Sequence, residues 1–178
     1  MGPCFRRDDD CEGVDFYAGR RLSRSVSRLM PGMMVDVQRE IGMTREFFSP
    51  KTLIAPGPAG YSHVAKVNRG AIVYISGQVP SDASGKLVGE GDFEAQVEQI
   101  FRNLKLAVEA AGGTMADIVK LNYYLVAEVD PAIVPKLRPI RDRYLNVENP
   151  PASTFVVVSR LMRPGWLIEI EAVAALDA

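Results

Sequence analysis

Residues 92–113 read DFEAQVEQIFRNLKLAVEAAGG. Phe93, Val97, Ile100, Phe101, Leu104, Val108 and Ala111 recur at i, i+4, i+7, i+8, i+11, i+15 and i+18, a single stripe on a 3.6-residue helix. Glu94, Glu98, Arg102 and Lys105 occupy the other side. Asp92 offers a side-chain oxygen to the unpaired N–H groups of the first turn, and Gly112-Gly113 supplies the stop. A helix with one apolar face has to lie on something, and the flanking segments supply strands.

Upstream, Ala71-Ile72-Val73-Tyr74-Ile75 is β-branched and almost continuously apolar, the pattern of a strand buried on both faces. Residues 63–68 form the strand before it, joined through Asn68-Arg69-Gly70. Ser76-Gly77-Gln78 closes the second strand, and Ser81-Asp82-Ala83-Ser84-Gly85 is turn chemistry. Earlier, Ala55-Pro56-Gly57-Pro58-Ala59-Gly60 makes a stiff loop, preceded by a short strand around Phe47. Downstream, Thr114 and Asp117 form a capping motif ahead of a strand from Val119 to Val126. A second helix runs from about Pro131 to Leu145, irregular in its first half because of Pro135 and Pro139. Pro150-Pro151 breaks it, and strands at 153–160 and 166–174 close the chain, joined by Met162-Arg163-Pro164-Gly165. The order β-β-α-β-α-β-β predicts an α+β fold, a mixed β-sheet with two helices on one face. The other sheet face is also apolar, Val156 and Val158 alternating with Val157, so self-association is expected.

Composition bounds the function. The chain has 178 residues, 21 Lys+Arg, 22 Asp+Glu and a formal charge of −1, which suits one well-buried domain. Phosphate-driven binding needs a surplus of cations, so no nucleic-acid partner is expected. The apolar runs are far too short to cross a bilayer, so no membrane partner is expected either, and the expected location is cytoplasmic. Cys4 and Cys11 fit neither a zinc site nor a disulfide framework. Residues 1–43 carry Asp8-Asp9-Asp10 and an Arg/Ser-rich run from Arg20 to Arg28, without apolar periodicity; they are expected to be disordered or a spurious extension, Met33, Met34 and Met43 being alternative starts. The folded domain is then 44–178.

Chemistry-bearing motifs are few. His63 is the sole histidine, which excludes multi-His metal sites. No phosphate-cradling glycine loop, HExxH motif or nucleophile elbow occurs. Ser76-Gly77-Gln78 offers backbone N–H groups at a strand end. Glu169 and Glu171 alternate with Ile168 and Ile170, which puts both carboxylates on one strand face. Enclosing that face would desolvate a Glu and raise its pKa toward general acid/base use.

Five blocks together resemble a known family: Ile75-Ser76-Gly77-Gln78-Val79-Pro80; Asn103-Leu104-Lys105 with Ala107-Val108-Glu109-Ala110-Ala111-Gly112; Asp117-Ile118-Val119-Lys120; Pro151-Ala152 with Val156, Val158 and Arg160-Leu161; and Ile168-Glu169-Ile170-Glu171-Ala172-Val173-Ala174. In order and spacing, over roughly 44–176, they are similar to the RidA/YjgF family of reactive-intermediate deaminases. The resemblance implies a chorismate-mutase-like fold and a homotrimer whose ligand clefts lie between subunits. It also implies hydrolysis of small enamines and imines to 2-keto acids and ammonia, with no metal and no other cofactor. Carried over by position, Tyr61 is the pocket aromatic, Ser76 and Gly77 form the strand-end backbone site, and Glu169 is the acid that positions or activates water.

The family's substrate-carboxylate arginine follows Pro-Ala directly; this chain has Ser153 there, and Phe155 two places on in place of a small polar or thiol residue. Exchanging a bidentate guanidinium for one neutral hydroxyl costs about 2–4 kcal/mol, roughly 30- to 1,000-fold in binding. Arg138, Arg141 and Arg163 are the available substitutes, and Arg160 is expected to support its strand. The expectation is therefore a hydrolase of small imines, enamines or related carbonyl-type metabolites with altered specificity and weak or absent 2-imino-acid deamination. The alternative is a non-catalytic trimer of the same fold that binds a small metabolite or a protein.

Overall fold

Asp92 Oδ1 accepts from the Ala95 N–H at 3.1 Å and starts α1, Phe93–Ala110. The apolar stripe from Phe93 to Val108 is buried as its spacing requires, together with Gln96. The structure, a computed structural model, describes residues 45–177. The expected boundary at residue 43, and the segment before it, lie outside the described residues.

The described residues also form six strands: β1, Arg45–Phe48; β2, Val64–Val67; β3, Ala71–Gln78; β4, Ile118–Val126; β5, Ala152–Val158; and β6, Ile168–Leu176. β3, β6, β4 and β5, in that order, form one mixed sheet, with β6 antiparallel to both neighbours and β5 parallel to β4. A parallel pair needs a long crossover. Residues 127–151 supply it, and they contain α2, Leu137–Arg141. The prolines shorten this helix as expected: Pro131–Lys136 winds as a 3-10 segment, and only five residues are α-helical before Asp142. Helix does not persist to Leu145, so the sequence reading overstated its length.

Two connections also differ from the simplest reading. β2 and β3 follow each other in sequence yet do not pair; β2 pairs with β1 in a separate hairpin. The Arg45 guanidinium ties that hairpin to the sheet through Asp117, at 2.5 Å, and the Ala175 carbonyl. Likewise β5 and β6 are not neighbours, because β4 lies between them.

Side chains sort by face. Leu121, Tyr123 and Leu125 of β4 and Ile168, Ile170, Ala172 and Ala174 of β6 point under α1 and are buried. Lys120, Asn122, Tyr124, Glu169, Glu171 and Val173 point the other way. No element among the described residues covers that second face. Tyr74 is 81% exposed and Ile72 43%, so the apolar β3 is buried on one face only within a single chain.

Gln96 fastens the loops to this frame. It is fully buried; its Nε2 donates to the Gly89 carbonyl at 2.9 Å and the Gly165 carbonyl at 2.8 Å, and its Oε1 accepts from the Leu167 N–H at 2.8 Å. The Gln96→Leu substitution keeps the volume but strands three backbone groups. It should cost on the order of 3 kcal/mol in urea unfolding; a loss below about 0.5 kcal/mol would show that the amide is not what holds the loops.

Candidate active site

β3 bulges just before it ends. Ile75 pairs with Ala172 and Gln78 with Ile170, so Ser76 and Gly77 together oppose the single residue Glu171. A bulge withdraws backbone groups from the ladder and re-aims the chain. Here it brings Gly77 against the Glu169 carboxylate, so closely that a Cβ at Gly77 would collide with Glu169 Oε1. A side chain at Gly77 would displace the Glu169 carboxylate from this seat, with no positive φ involved. Glu169, Ser76 and Gly77 thus meet on the uncovered sheet face, at one end of β3 and β6.

Glu171 sits beside them with partners of its own. Asn122 Nδ2 donates to its Oε1 at 2.6 Å, and the Tyr124 hydroxyl donates to the same oxygen at 2.9 Å. Partial burial raises the pKa of Glu169 above the ordinary glutamate value, and the nearby Glu171 charge adds to the shift. The bond to Glu171 pushes the Tyr124 hydroxyl up. Lys120, whose Nζ donates to Thr154 Oγ1 at 2.6 Å, is lowered by burial. The two glutamates therefore differ in role by environment: one is tied down by two donors, and the other is desolvated. Sequence spacing placed both carboxylates on one face; Asn122 and Tyr124 were not anticipated, although their i, i+2 alternation in β4 was the available signal.

Ser153, Phe155 and Tyr61 are elsewhere. In the parallel pairing, Ser153 lies beside Leu121 and Phe155 beside Tyr123, on the helix-covered side of the β5 edge. Phe155 stacks on Tyr123, ring centroids 5.4 Å apart, and remains 42% exposed. Tyr61 adjoins the same edge, since Ser62 bridges Ala152, and it meets His63 edge-on at 5.3 Å. One chain therefore carries two half-sets, Glu169 with Ser76 and Gly77 on the open face, and Ser153, Phe155 and Tyr61 at the β5 edge.

The arginines differ in their surroundings. Arg141 is buried, with Nη1 on the Ala59 carbonyl at 3.0 Å and Nη2 on Asp142 at 2.7 Å, so it braces the loop leading to Tyr61. Arg138 pairs with the same Asp142. Arg160 is exposed and makes no polar contact among the described residues, so it does not support its strand by any bond. Arg163 lies 5.5 Å from the centre of the Trp166 ring.

Known proteins share this architecture. The family profile described as "Endoribonuclease L-PSP" matches residues 53–176. A RutC family protein of Pyrococcus horikoshii is 38% identical over 121 residues, covering 67% of this chain and 90% of its own length. The crystal structure of YyfB, a conserved Rid family protein from Yersinia pestis, superposes with a TM-score of 0.66 at 36% identity, over 75% of this chain and 100% of that one. E. coli TdcF, crystallised with bound serine, gives a TM-score of 0.52 at 27% identity, over 62% of this chain and 85% of that one. The chain belongs to the RidA/YjgF family.

The raised pKa of Glu169 has a consequence for stability. A carboxyl with a raised folded-state pKa contributes stability below its unfolded value, near 4.3, and that contribution is lost as pH rises through the folded value. Glu169→Gln should therefore unfold at higher denaturant concentration than the parent at pH 7, with the difference shrinking toward pH 4. Denaturant titrations at both pH values check this, and a variant less stable than the parent at pH 7 contradicts it.

Proposed function

We propose that this protein hydrolyses small imines or enamines, or related carbonyl-type metabolites, in clefts formed between the subunits of a homotrimer. The observation that carries the reading is the partly desolvated Glu169 carboxylate seated against the Gly77 backbone on an uncovered sheet face that is part apolar and part acidic. Family membership supports it, as does the amino acid bound to TdcF. Packing the open faces of neighbouring chains together would cover Ile72, Tyr74 and Val156 and give the two half-sets a cleft to share. The near-zero net charge favours a small-molecule ligand over RNA, whatever the wording of the family description.

In this reading an enamine first tautomerises to the imine. Water then adds to the C=N carbon, Glu169 takes the water proton, and the nitrogen receives it as the carbinolamine forms. In the collapse of that adduct Glu169 takes the hydroxyl proton and passes it to the nitrogen, the C–N bond breaks with its electron pair leaving on nitrogen as ammonia, and the oxygen lone pair forms the carbonyl. N–H groups at the Ser76-Gly77 bulge would stabilise charge developing on oxygen.

Ser153 narrows the substrate range. Without a guanidinium at that position, 2-imino acids lose their bidentate anchor, and the Phe155 ring lies over Tyr123 where a smaller side chain would leave space. These two residues favour a second reading, a trimer that binds a metabolite or a protein without turnover.

Ammonia release from a freshly generated 2-imino acid should be at least about 30-fold below that of an arginine-bearing relative. Ser153→Arg with Phe155→Cys should recover part of it, and parental rates equal to the relative's would refute the role given to Ser153. For any substrate found by screening, Glu169→Gln should abolish turnover; retained turnover removes Glu169 from the chemistry. Sedimentation equilibrium should give three times the chain mass, and a monomer would leave no shared cleft.

A further inference from the structure

A second cleft opens where β4 and β5 end. These strands are parallel, so their carboxyl ends emerge together, and the loop from β5 to β6 folds back across them. Val126, Glu128, Arg160, Arg163, Gly165 and Trp166 are among the residues that line this open cleft of about 250 Å³. The space suits a molecule of a few heavy atoms.

Three features give this cleft a chemical preference. First, Arg160 and Arg163 both line it, and neither guanidinium has a carboxylate or carbonyl partner among the described residues. Second, the Arg163 Cζ lies 5.5 Å from the centre of the Trp166 ring, a cation–π contact that occupies none of the guanidinium's N–H donors with a carboxylate. Third, Glu128 lies on the lining and leaves the cleft a charge of only about +1 with both arginines counted. A monoanion balances that charge, whereas a phosphate dianion overshoots it beside a carboxylate. Leu161, Met162 and Pro164 provide an apolar wall for a short carbon chain.

The loop is also held in place from below. The fully buried Gln96 fixes the Gly165 carbonyl and the Leu167 N–H, one residue on each side of Trp166. The Val126 N–H donates to the Leu167 carbonyl at 3.0 Å and the Ala127 N–H to the Val158 carbonyl at 2.9 Å. Gly165, at φ +83°, makes the turn that such anchoring needs. A cleft anchored this way spends little of its binding energy on ordering the loop.

We propose that the β5–β6 loop is a binding site for a small organic carboxylate, held by Arg160 and Arg163 beside Trp166 and separate from the Glu169 site. The proposal does not depend on turnover at Glu169. Trp166 is the only tryptophan in the chain, so its fluorescence reports on this cleft directly.

Titration of the full-length protein with propionate and lactate should change Trp166 emission saturably, and calorimetry should give the same dissociation constant. Arg160→Ala, which leaves the Arg163–Trp166 contact in place, should weaken binding at least tenfold. Arg163→Lys, which keeps the charge but loses the fork, should also weaken it. Inorganic phosphate and chloride are the charge controls. Binding of phosphate as tight as that of the carboxylates would reduce the cleft to a non-selective cationic patch and overturn the assignment. Unchanged affinity in Arg160→Ala and Arg163→Lys would overturn it as well. So would a response lost in Glu169→Gln but kept in Arg160→Ala, which would move the ligand to the Glu169 site.

Discussion

The β3-β6-β4-β5 sheet buries one face under α1 and α2 and leaves the other to solvent, although that other face carries Ile72, Tyr74 and Val156 as well as Glu169 and Glu171. Two helices in one layer cannot cover both sides of a sheet. The chain thus commits its own apolar stripe to a single interior and presents a mixed apolar and acidic surface outward. That asymmetry accounts for the state of Glu169: the covered face would exclude it, and a fully solvated edge would leave it an ordinary glutamate. On a half-apolar face beside a bulge it is partly desolvated while still accessible.

Gln96 shows how the covered side governs the open end of the sheet. A polar residue in the middle of an apolar stripe is unfavourable unless every one of its polar atoms is used. Here its amide reaches the loop after β3 and the loop before β6, which flank the bulge and the start of β6 respectively. The seat of Trp166, between Gly165 and Leu167, rests on this contact. The helix is therefore both lid of the core and clamp on the loops.

Local pattern made much of this legible. The α1 stripe, the proline-disturbed second helix and the alternation of Ile168 to Glu171 each depend on neighbours a few residues away, where spacing alone decides which way a side chain points. Strand partnership was less legible, because 63–68 and 71–76 look like a hairpin and in fact belong to different sheets. The decision lies in long-range competition: β6, with its run of Ile and Ala, makes a better partner for β3 than the short β2 does. The bulge at Ser76-Gly77 is invisible for the same reason, since it exists only relative to the register of β6. The bonds from Asn122 and Tyr124 to Glu171 needed that pairing too.

The change at Ser153 is best understood through the surroundings of the position. A guanidinium there would stand on the β5 edge beside Leu121, with Phe155 and Tyr123 stacked just beyond it. Arginine and a small neighbour leave a polar slot, whereas serine and phenylalanine leave a short donor next to an aromatic wall. Ser153 and Phe155 act in the same direction, because an aromatic ring beside the position disfavours a charge there. Arg141 does not compensate, being already committed to Asp142 and the Ala59 carbonyl. Among the described residues, guanidinium groups with neither a carboxylate nor a carbonyl partner stand instead at Arg160 and Arg163, beyond the carboxyl ends of β4 and β5. A guanidinium fork binds an acid most strongly where no carboxylate already occupies it, and in this chain that condition is met in the loop after β5 and not at the β5 edge, among the described residues.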